Sequence, residues 1–400
     1  MISSIFSSVE MAPRDPILGI TEAFIADTRT NKVNLGAGVY FDDSGKIPLL
    51  DAVRAVERSR LESMPNHGYL PIDGSPAYNE AVQAMLFGSN SPLLAEGRVV
   101  TVQALGGTGA LKIGADYLKR LLPEAVVHIS NPSWENHRAV FENAGFRVKS
   151  YPYYDITTRG VDFAAMKTGL ETLPAGSIVV LHACCHNPTG ADLSTAQWRE
   201  IVEIAKARTL VPFIDMAYQG FADGIGEDAV ALDLFAASGL QFLVATSYSK
   251  SFSLYGERVG ALSVITSSKQ ESARVLSQVK RVIRFNYSSP PTHGSAIVTA
   301  VLSSAELRQK WESELAGMRE RIKQMRGGLV DRLKAAGATR DFSFVTRQRG
   351  MFSYTGLSAA QVARLQSEFG IYAVTTGRIC LAALNTGNID YVAKAIATVL

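Results

Sequence analysis

Lys250 is the residue of this chain whose surroundings best suit covalent chemistry. It lies in Ser247-Tyr248-Ser249-Lys250-Ser251-Phe252-Ser253-Leu254-Tyr255-Gly256-Glu257-Arg258, with hydroxyls before it and an arginine eight residues later. An amine whose pKa is lowered by burial or by nearby cations forms Schiff bases, and the arginine suits an adjoining anion. A lone loop lysine would be ordinary; the hydroxyls, the glycine and Arg258 set this one apart. Asp215 ends the apolar run Val211-Pro212-Phe213-Ile214. A carboxylate there either caps a helix or acts as a buried anion that keeps a cationic ring nitrogen protonated. In the second case Tyr218, three residues on, can hydrogen-bond a phenolate oxygen of the same ring. Trp134, after Asn131-Pro132-Ser133, either stacks on that ring or belongs to the core.

The turn Leu105-Gly106-Gly107-Thr108-Gly109-Ala110 has free N–H groups and a helix dipole that suit a phosphate, and a purely structural turn has the same pattern. It is no dinucleotide fingerprint, because Lys112 stands where the third glycine would be, and Gly45-Lys46-Ile47 is no P-loop. The dense His182-Ala183-Cys184-Cys185-His186 resembles a metal site. On an extended strand its side chains alternate between faces, so no metal is expected.

These residues need a scaffold that brings them together. Between Arg98 and Ile265, short apolar runs alternate with helix-like stretches. Strands are expected at Val99–Val102, Val126–Ile129, Ile178–Leu181, Val211–Ile214, Phe242–Ala245 and Gly260–Val264, with helices at Ala110–Leu121, Glu135–Ala144 and Thr195–Lys206. Such alternation implies a mainly parallel sheet covered on both faces, with ligands at the carboxyl ends of its strands. Five polar segments follow strand ends and should converge there. They begin at Gly106, Asn131, His186, Asp215 and Ser247. After Ser303 the period changes: Leu307, Trp311, Leu315, Met318, Ile322, Met325, Leu329 and Leu333 mark one long amphipathic helix. Its Arg and Lys residues are expected on a solvated face. Beyond it, short strands near Met351–Tyr354 and Ile379–Ala382 and a helix at Ser358–Glu368 read as a smaller α+β lobe.

The 400 residues suit two or three lobes. A 47% hydrophobic and 19% charged composition excludes a mainly disordered chain. A net charge of +3 gives no sign of a nucleic-acid or membrane-surface partner. No apolar run is long enough to span a bilayer, and the N-terminus lacks a secretory pattern. Three cysteines, two of them adjacent, make no disulfide framework, so a cytoplasmic location is expected.

The ordered set HNPTG (His186–Gly190), DxAYQGF (Asp215–Phe221), SYSKSFSLYGERVG (Ser247–Gly260) and RFNYSSPP (Arg284–Pro291) resembles fold-type I, pyridoxal-phosphate-dependent aminotransferases. The likeness is to the aspartate/aromatic amino acid family and runs from about Asp15 to the C-terminus. QRGMFSYTGLS (Gln348–Ser358) and NPSWENH (Asn131–His137) look most like its bacterial aromatic branch. The resemblance implies an α/β fold with a mostly parallel seven-stranded sheet in a large domain (44–311). A smaller α+β domain (13–43 and 312–400) and an N-terminal arm (1–12) complete it. It implies cis peptides at Asn131-Pro132 and Asn187-Pro188. It further implies ping-pong transfer of an amino group to a 2-oxo acid, with Lys250 as Schiff-base lysine and proton shuttle. Asp215 would pair with the pyridine nitrogen, backed by His137, while Asn187 and Tyr218 would contact the phenolic oxygen and Trp134 would stack on the ring. Gly107, Thr108, Ser247, Ser249 and Arg258 would hold the phosphate, joined by Tyr69 of a second subunit. Arg378 would clamp the substrate α-carboxylate with Gly38 and Asn187, and Arg284 would reach a side-chain carboxylate across a homodimer.

Arg284 suggests that aspartate, glutamate and 2-oxoglutarate are accepted. Phe41, Ile47 and Ser289 stand where aspartate-preferring relatives carry more polar residues, and an apolar rim favours an aromatic ring. Dual specificity for tyrosine and phenylalanine as well as the dicarboxylates is therefore expected. The alternatives are a strict aspartate aminotransferase or a lyase of the same fold. A dehydrogenase lacks its third glycine, and a regulator would usually carry an added DNA-binding domain.

Overall fold

A computed structural model describes residues 4–12, 15 and 17–400. Residues 1–3 of the expected arm, and 13, 14 and 16 of the expected small domain, lie outside the described residues. At the centre are seven strands: β1 (Val99–Leu105), β2 (Val126–Asn131), β3 (Arg147–Pro152), β4 (Ile178–His182), β5 (Val211–Met216), β6 (Phe242–Ser247) and β7 (Val259–Ile265). Their order across the sheet is β1-β7-β6-β5-β4-β2-β3. Only β7 runs against its neighbours, pairing Gly260 with Ala104 on one side and with Ser247 on the other. The expected mostly parallel sheet is present.

Alternation along the strands divides the core. Val180, Phe213, Leu243 and Leu262 face one layer, while Val179, Leu181, Ile214, Val244 and Ala261 face another that continues into the second lobe. Both faces are covered, so β4 to β7 are buried along almost their whole length. The helix Gly106–Leu121 lies close on the first face. It approaches so tightly that a Cβ on Gly114 would sit 2.4 Å from Phe213 Cζ.

Sequence periodicity missed β3. This strand lies at the sheet edge with mostly exposed or half-exposed side chains, so no apolar run marks it.

The long helix spans Ala305–Ala335, capped by Ser304, whose side chain accepts from Leu307 N–H. Trp311, Leu315, Met318, Ile322, Leu329 and Leu333 are buried on it, as the periodicity predicts. Trp311 reaches back to the lysine loop: its Nε1 donates to Ser251 O at 2.7 Å and its ring stacks on Phe252. The expectation that all its basic residues face solvent needs correction, because Arg326 is only 2% exposed. Neighbouring main-chain carbonyls replace water around that guanidinium.

In the second lobe Phe352–Tyr354 pairs antiparallel with Arg378–Cys380, and Val33–Asn34 pairs with Ile371–Tyr372. The first pairing places Arg378 opposite Tyr354. Helices Ala359–Phe369 and Ile389–Val399 complete the lobe. Both expected X-Pro bonds, Asn131-Pro132 and Asn187-Pro188, are cis. Among the described residues no helix is long and apolar enough to cross a membrane.

Candidate active site

The chain turns sharply at the end of β1. Gly106 has φ +68°, a left-handed conformation open to glycine, and a Cβ there would lie 2.5 Å from Arg258 Nη2. The helix that begins here brings Gly107 and Thr108, in its first turn, to the cavity wall. Because β7 is reversed, Arg258 at its start arrives at the same sheet edge as the carboxyl end of β6. The Arg258 guanidinium donates to Ser249 Oγ at 3.3 Å and to Tyr255 O at 3.0 Å. A Cβ on Gly107 would touch Ser247 Cβ at 3.2 Å. Gly107, Thr108, Ser247, Ser249 and Arg258 thus share one wall of the cavity. Among the described residues no carboxylate lies within ion-pair distance of Arg258. A free guanidinium, two hydroxyls and a helix N-terminus match the chemistry of a phosphate dianion.

Asp215, at the end of β5, is buried. Burial alone would raise its pKa, but the His137 hydrogen bond, with the nearby Lys250 amine contributing, brings it below the usual carboxylate range. The bond runs from His137 Nε2 to Asp215 Oδ2 at 2.9 Å, and Ser133 Oγ meets the other ring nitrogen at 2.9 Å. His182 and His186 lie behind with ring centroids 4.2 Å apart, and burial pushes both far down, so they are neutral. Asp215 is the anionic member of this cluster.

Lys250 Nζ lies 5.1 Å from the centroid of the Tyr218 ring. Desolvation lowers its pKa to about 8; Asp215 pulls it up, while Arg258 and Arg378 push it down. Burial raises the Tyr218 phenol, which stays protonated and can donate. Lys250, Asp215, Tyr218, Trp134 and Asn187 line the cavity that ends at the Ser247–Arg258 wall. The donor set fits an aromatic ring with a cationic nitrogen at one end and a phosphate at the other.

Arg378 stands behind this cavity rather than in its wall and is 1% exposed. Its Nη1 donates to Asn187 Oδ1 at 3.0 Å and its Nη2 to Gly36 O at 2.8 Å. Its Nε is buried with no partner. The guanidinium lies 4.4 Å over the Phe352 ring. A Cβ on Gly38 would fall 2.9 Å from Phe352 Cζ, so this close approach needs glycine. An orphaned buried N–H invites an acceptor, and a carboxylate would satisfy it.

All five polar segments contribute to this region. Gly38, Gly107, Thr108, Trp134, Asn187, Asp215, Tyr218, Ser247, Ser249, Lys250 and Arg258 line the cavity, and His137 supports it from behind. Tyr69 is 97% exposed and Arg284 is also exposed, and neither lines the cavity of this chain. Phe41, Ile47 and Ser289 also lie outside its wall. His182, Cys184, Ala217 and Tyr255 also line it, although none was expected in this site and His182 and Cys184 had been weighed only as part of a metal cluster. Tyr255 sits inside the lysine segment, and its hydroxyl accepts from Tyr40 N–H at 2.9 Å; the spacing around Lys250 was the available signal.

The extended chain expected through His182–His186 is corrected. The strand ends at His182 and Cys185 has φ +50°. This bend gathers Cys184, Cys185 and Asp228 within 4.8 Å. Hydrogen bonding and burial raise the Cys184 thiol well above its usual range, and burial raises Cys185 to about 11. Asp228 already accepts from the N–H groups of Gly220, Ala222 and Asp223. Neutral thiols beside a satisfied carboxylate read as packing.

Residues 30–396 match the family model described as aminotransferase class I and II. An aspartate aminotransferase of Pseudomonas aeruginosa is 64% identical over 99% of this chain and all of its own length. An aromatic-amino-acid aminotransferase of Escherichia coli is 52% identical over the same shares. Among solved structures, an aromatic-amino-acid aminotransferase of Burkholderia pseudomallei, covalently bound to pyridoxal phosphate, superposes with a TM-score of 0.97. It is 66% identical, over 99% of this chain and all of its own.

Proposed function

This chain belongs to the class I and II aminotransferases, enzymes that work with pyridoxal 5′-phosphate, and from that premise we propose that it moves amino groups from aromatic amino acids and from aspartate or glutamate to 2-oxo acids. What most supports this is one cavity that holds a desolvated lysine, a buried aspartate with a lowered pKa and a cradle for phosphate. Relatives with both names, at 64% and 52% identity, favour the dual specificity.

When bound, the cofactor supplies an electron sink for the pair left as the substrate Cα–H bond breaks. The chain supplies the rest. Lys250 would provide the amine that anchors the cofactor, and its freed Nζ would serve as the base that removes and carries the substrate Cα proton. Asp215, held anionic by His137, keeps the ring nitrogen protonated. Tyr218 and Asn187 donate to the ring oxygen, and Trp134 covers the ring. Gly107, Thr108, Ser247, Ser249 and Arg258 hold the phosphate. Arg378, Asn187 and Gly38 grip the α-carboxylate, which fixes the bond presented to Lys250.

The working unit in this reading is a homodimer with shared sites, in which Tyr69 reaches the partner's phosphate and Arg284 the partner's substrate. Exposed Tyr69 and Arg284, and the exposed apolar residues Ile5, Phe6, Val9, Met11, Leu61 and Met64, are in keeping with a second copy. The large domain would be 44–311, the small domain 13–43 with 312–400, and the arm 1–12. Three buried, unpaired cysteines suit the reducing cytoplasm.

The deciding measurement is kcat/KM for aspartate, tyrosine and phenylalanine with 2-oxoglutarate, in the wild type and in Arg284→Leu. All three donors should react, and the variant should lose on the order of 10²-fold with aspartate but only a few-fold with phenylalanine. Equal losses would remove Arg284 as the dicarboxylate selector. Reaction with aspartate alone would make this a strict aspartate aminotransferase, and pyruvate with ammonia as products would make it a lyase.

A further inference from the structure

Arg326, in the middle of the long helix, is a buried cation that meets only main-chain oxygens. Its Nη1 donates to Val345 O at 2.9 Å, and its Nη2 meets Arg349 O at 3.1 Å, Gly350 O at 2.7 Å and Phe352 O at 2.6 Å. Among the described residues no carboxylate lies within 4.0 Å of it. Burying a guanidinium without a counter-ion is costly unless its donors are used; both Nη atoms of Arg326 donate into one short stretch of chain, while its Nε is buried without a partner. That stretch is also tied to the Asn187 segment, because Arg349 N–H donates to Gly190 O at 2.7 Å. Gly190 itself passes so close that a Cβ would lie 2.7 Å from Phe352 O.

Phe352 ends this stretch. Its ring is the floor beneath Arg378 at 4.4 Å, lies against Gly38, and meets the Tyr218 ring edge-on at 6.0 Å. Arg378 in turn bonds Asn187. A shift of the 349–352 main chain would therefore move the floor and the side partner of Arg378 together.

We infer that Arg326 is a positioning residue for the α-carboxylate clamp, acting through the main chain at Phe352 to fix the orientation of Arg378. The inference rests on the reading of Arg378 as the carboxylate ligand. Lysine cannot take the place of Arg326, because one nitrogen on a flexible stem cannot span carbonyls from Val345 to Phe352 as a planar fork does.

The test uses holoenzyme carrying Arg326→Lys, Phe352→Leu or Arg378→Lys. Three quantities are measured: KM and kcat for phenylalanine and aspartate, the Kd of 3-phenylpropionate, and the single-turnover rate with 2-phenylethylamine, which has no carboxylate. In Arg326→Lys, KM and the 3-phenylpropionate Kd should rise about tenfold while kcat falls less than about threefold. The rate with 2-phenylethylamine should stay within about twofold, because no carboxylate is being oriented. Phe352→Leu should show the same split, and stands in for Arg326→Lys if that variant does not fold. Equal losses for the amine and the amino acids, or unchanged KM in a folded variant, would overturn the inference. A large KM effect in Arg378→Lys with none in the other two overturns this inference alone. An unchanged KM in Arg378→Lys overturns the carboxylate reading and this inference with it.

Discussion

Burial alone would raise the Asp215 pKa, and the His137 hydrogen bond is the largest of the influences that hold it below the usual carboxylate range. Asp215→Asn removes the carboxylate and should lower kcat by on the order of 10²–10⁴-fold, whereas His137→Asn still offers an N–H donor to Asp215 and should cost about tenfold; steady-state kinetics separate the two. Lys250 is displaced from 10.5 to about 8, chiefly by desolvation. In cofactor-free protein the unfolded chain then holds the proton more tightly than the fold does, so this group destabilises the fold fully below pH 8. The penalty fades as pH rises from 8 to 10.5. Lys250→Met should accordingly melt higher than the wild type at pH 7, with the gap closing across that window in thermal scans. The rate at which cofactor-free protein captures added pyridoxal phosphate should climb about tenfold per pH unit and level off near pH 8. Lys250, Asp215 and Arg258 were legible in the sequence because each follows or precedes a strand in a segment of unusual composition. Arg326 was not, since its acceptors are carbonyls, which no side-chain pattern records.

Among the elements, strong periodicity carried through. The long helix was readable because its buried residues recur every three or four positions, and β4 to β7 because their burial is nearly uniform. β3 was not, because an edge strand with exposed side chains has no reason to be apolar. The reversal of β7 was equally hidden, since a fully buried strand reads the same in either direction. One glycine measures how closely these layers fit. Gly114→Ala would bring a Cβ within 2.4 Å of Phe213 Cζ and push the Gly106–Leu121 helix off the sheet. Overpacking of this kind should cost about 1–3 kcal/mol in denaturant unfolding, even though alanine is the better helix former. The same displacement moves the N-terminus of that helix, so phosphate retention should weaken along with stability.

At the scale of the whole molecule, shared sites make a prediction that no single chain can. Equal amounts of Lys250→Ala and Arg284→Leu protein, unfolded together and refolded, should recover about a quarter of the wild-type aspartate activity. Each mixed dimer would hold one site with both residues intact, and about half of the dimers would be mixed. No recovery would mean that Lys250 and Arg284 serve within one chain. The division of labour inside that chain follows from the single reversed strand. The loop from Ser247 to Arg258 leaves the sheet and re-enters it on the same edge, so one short excursion bears both the amine and the guanidinium. Their separation is set by loop length rather than by how two distant parts of the chain dock. Adding a single residue between Ser251 and Glu257 would put the covalent anchor and the phosphate grip out of step, while leaving every strand paired.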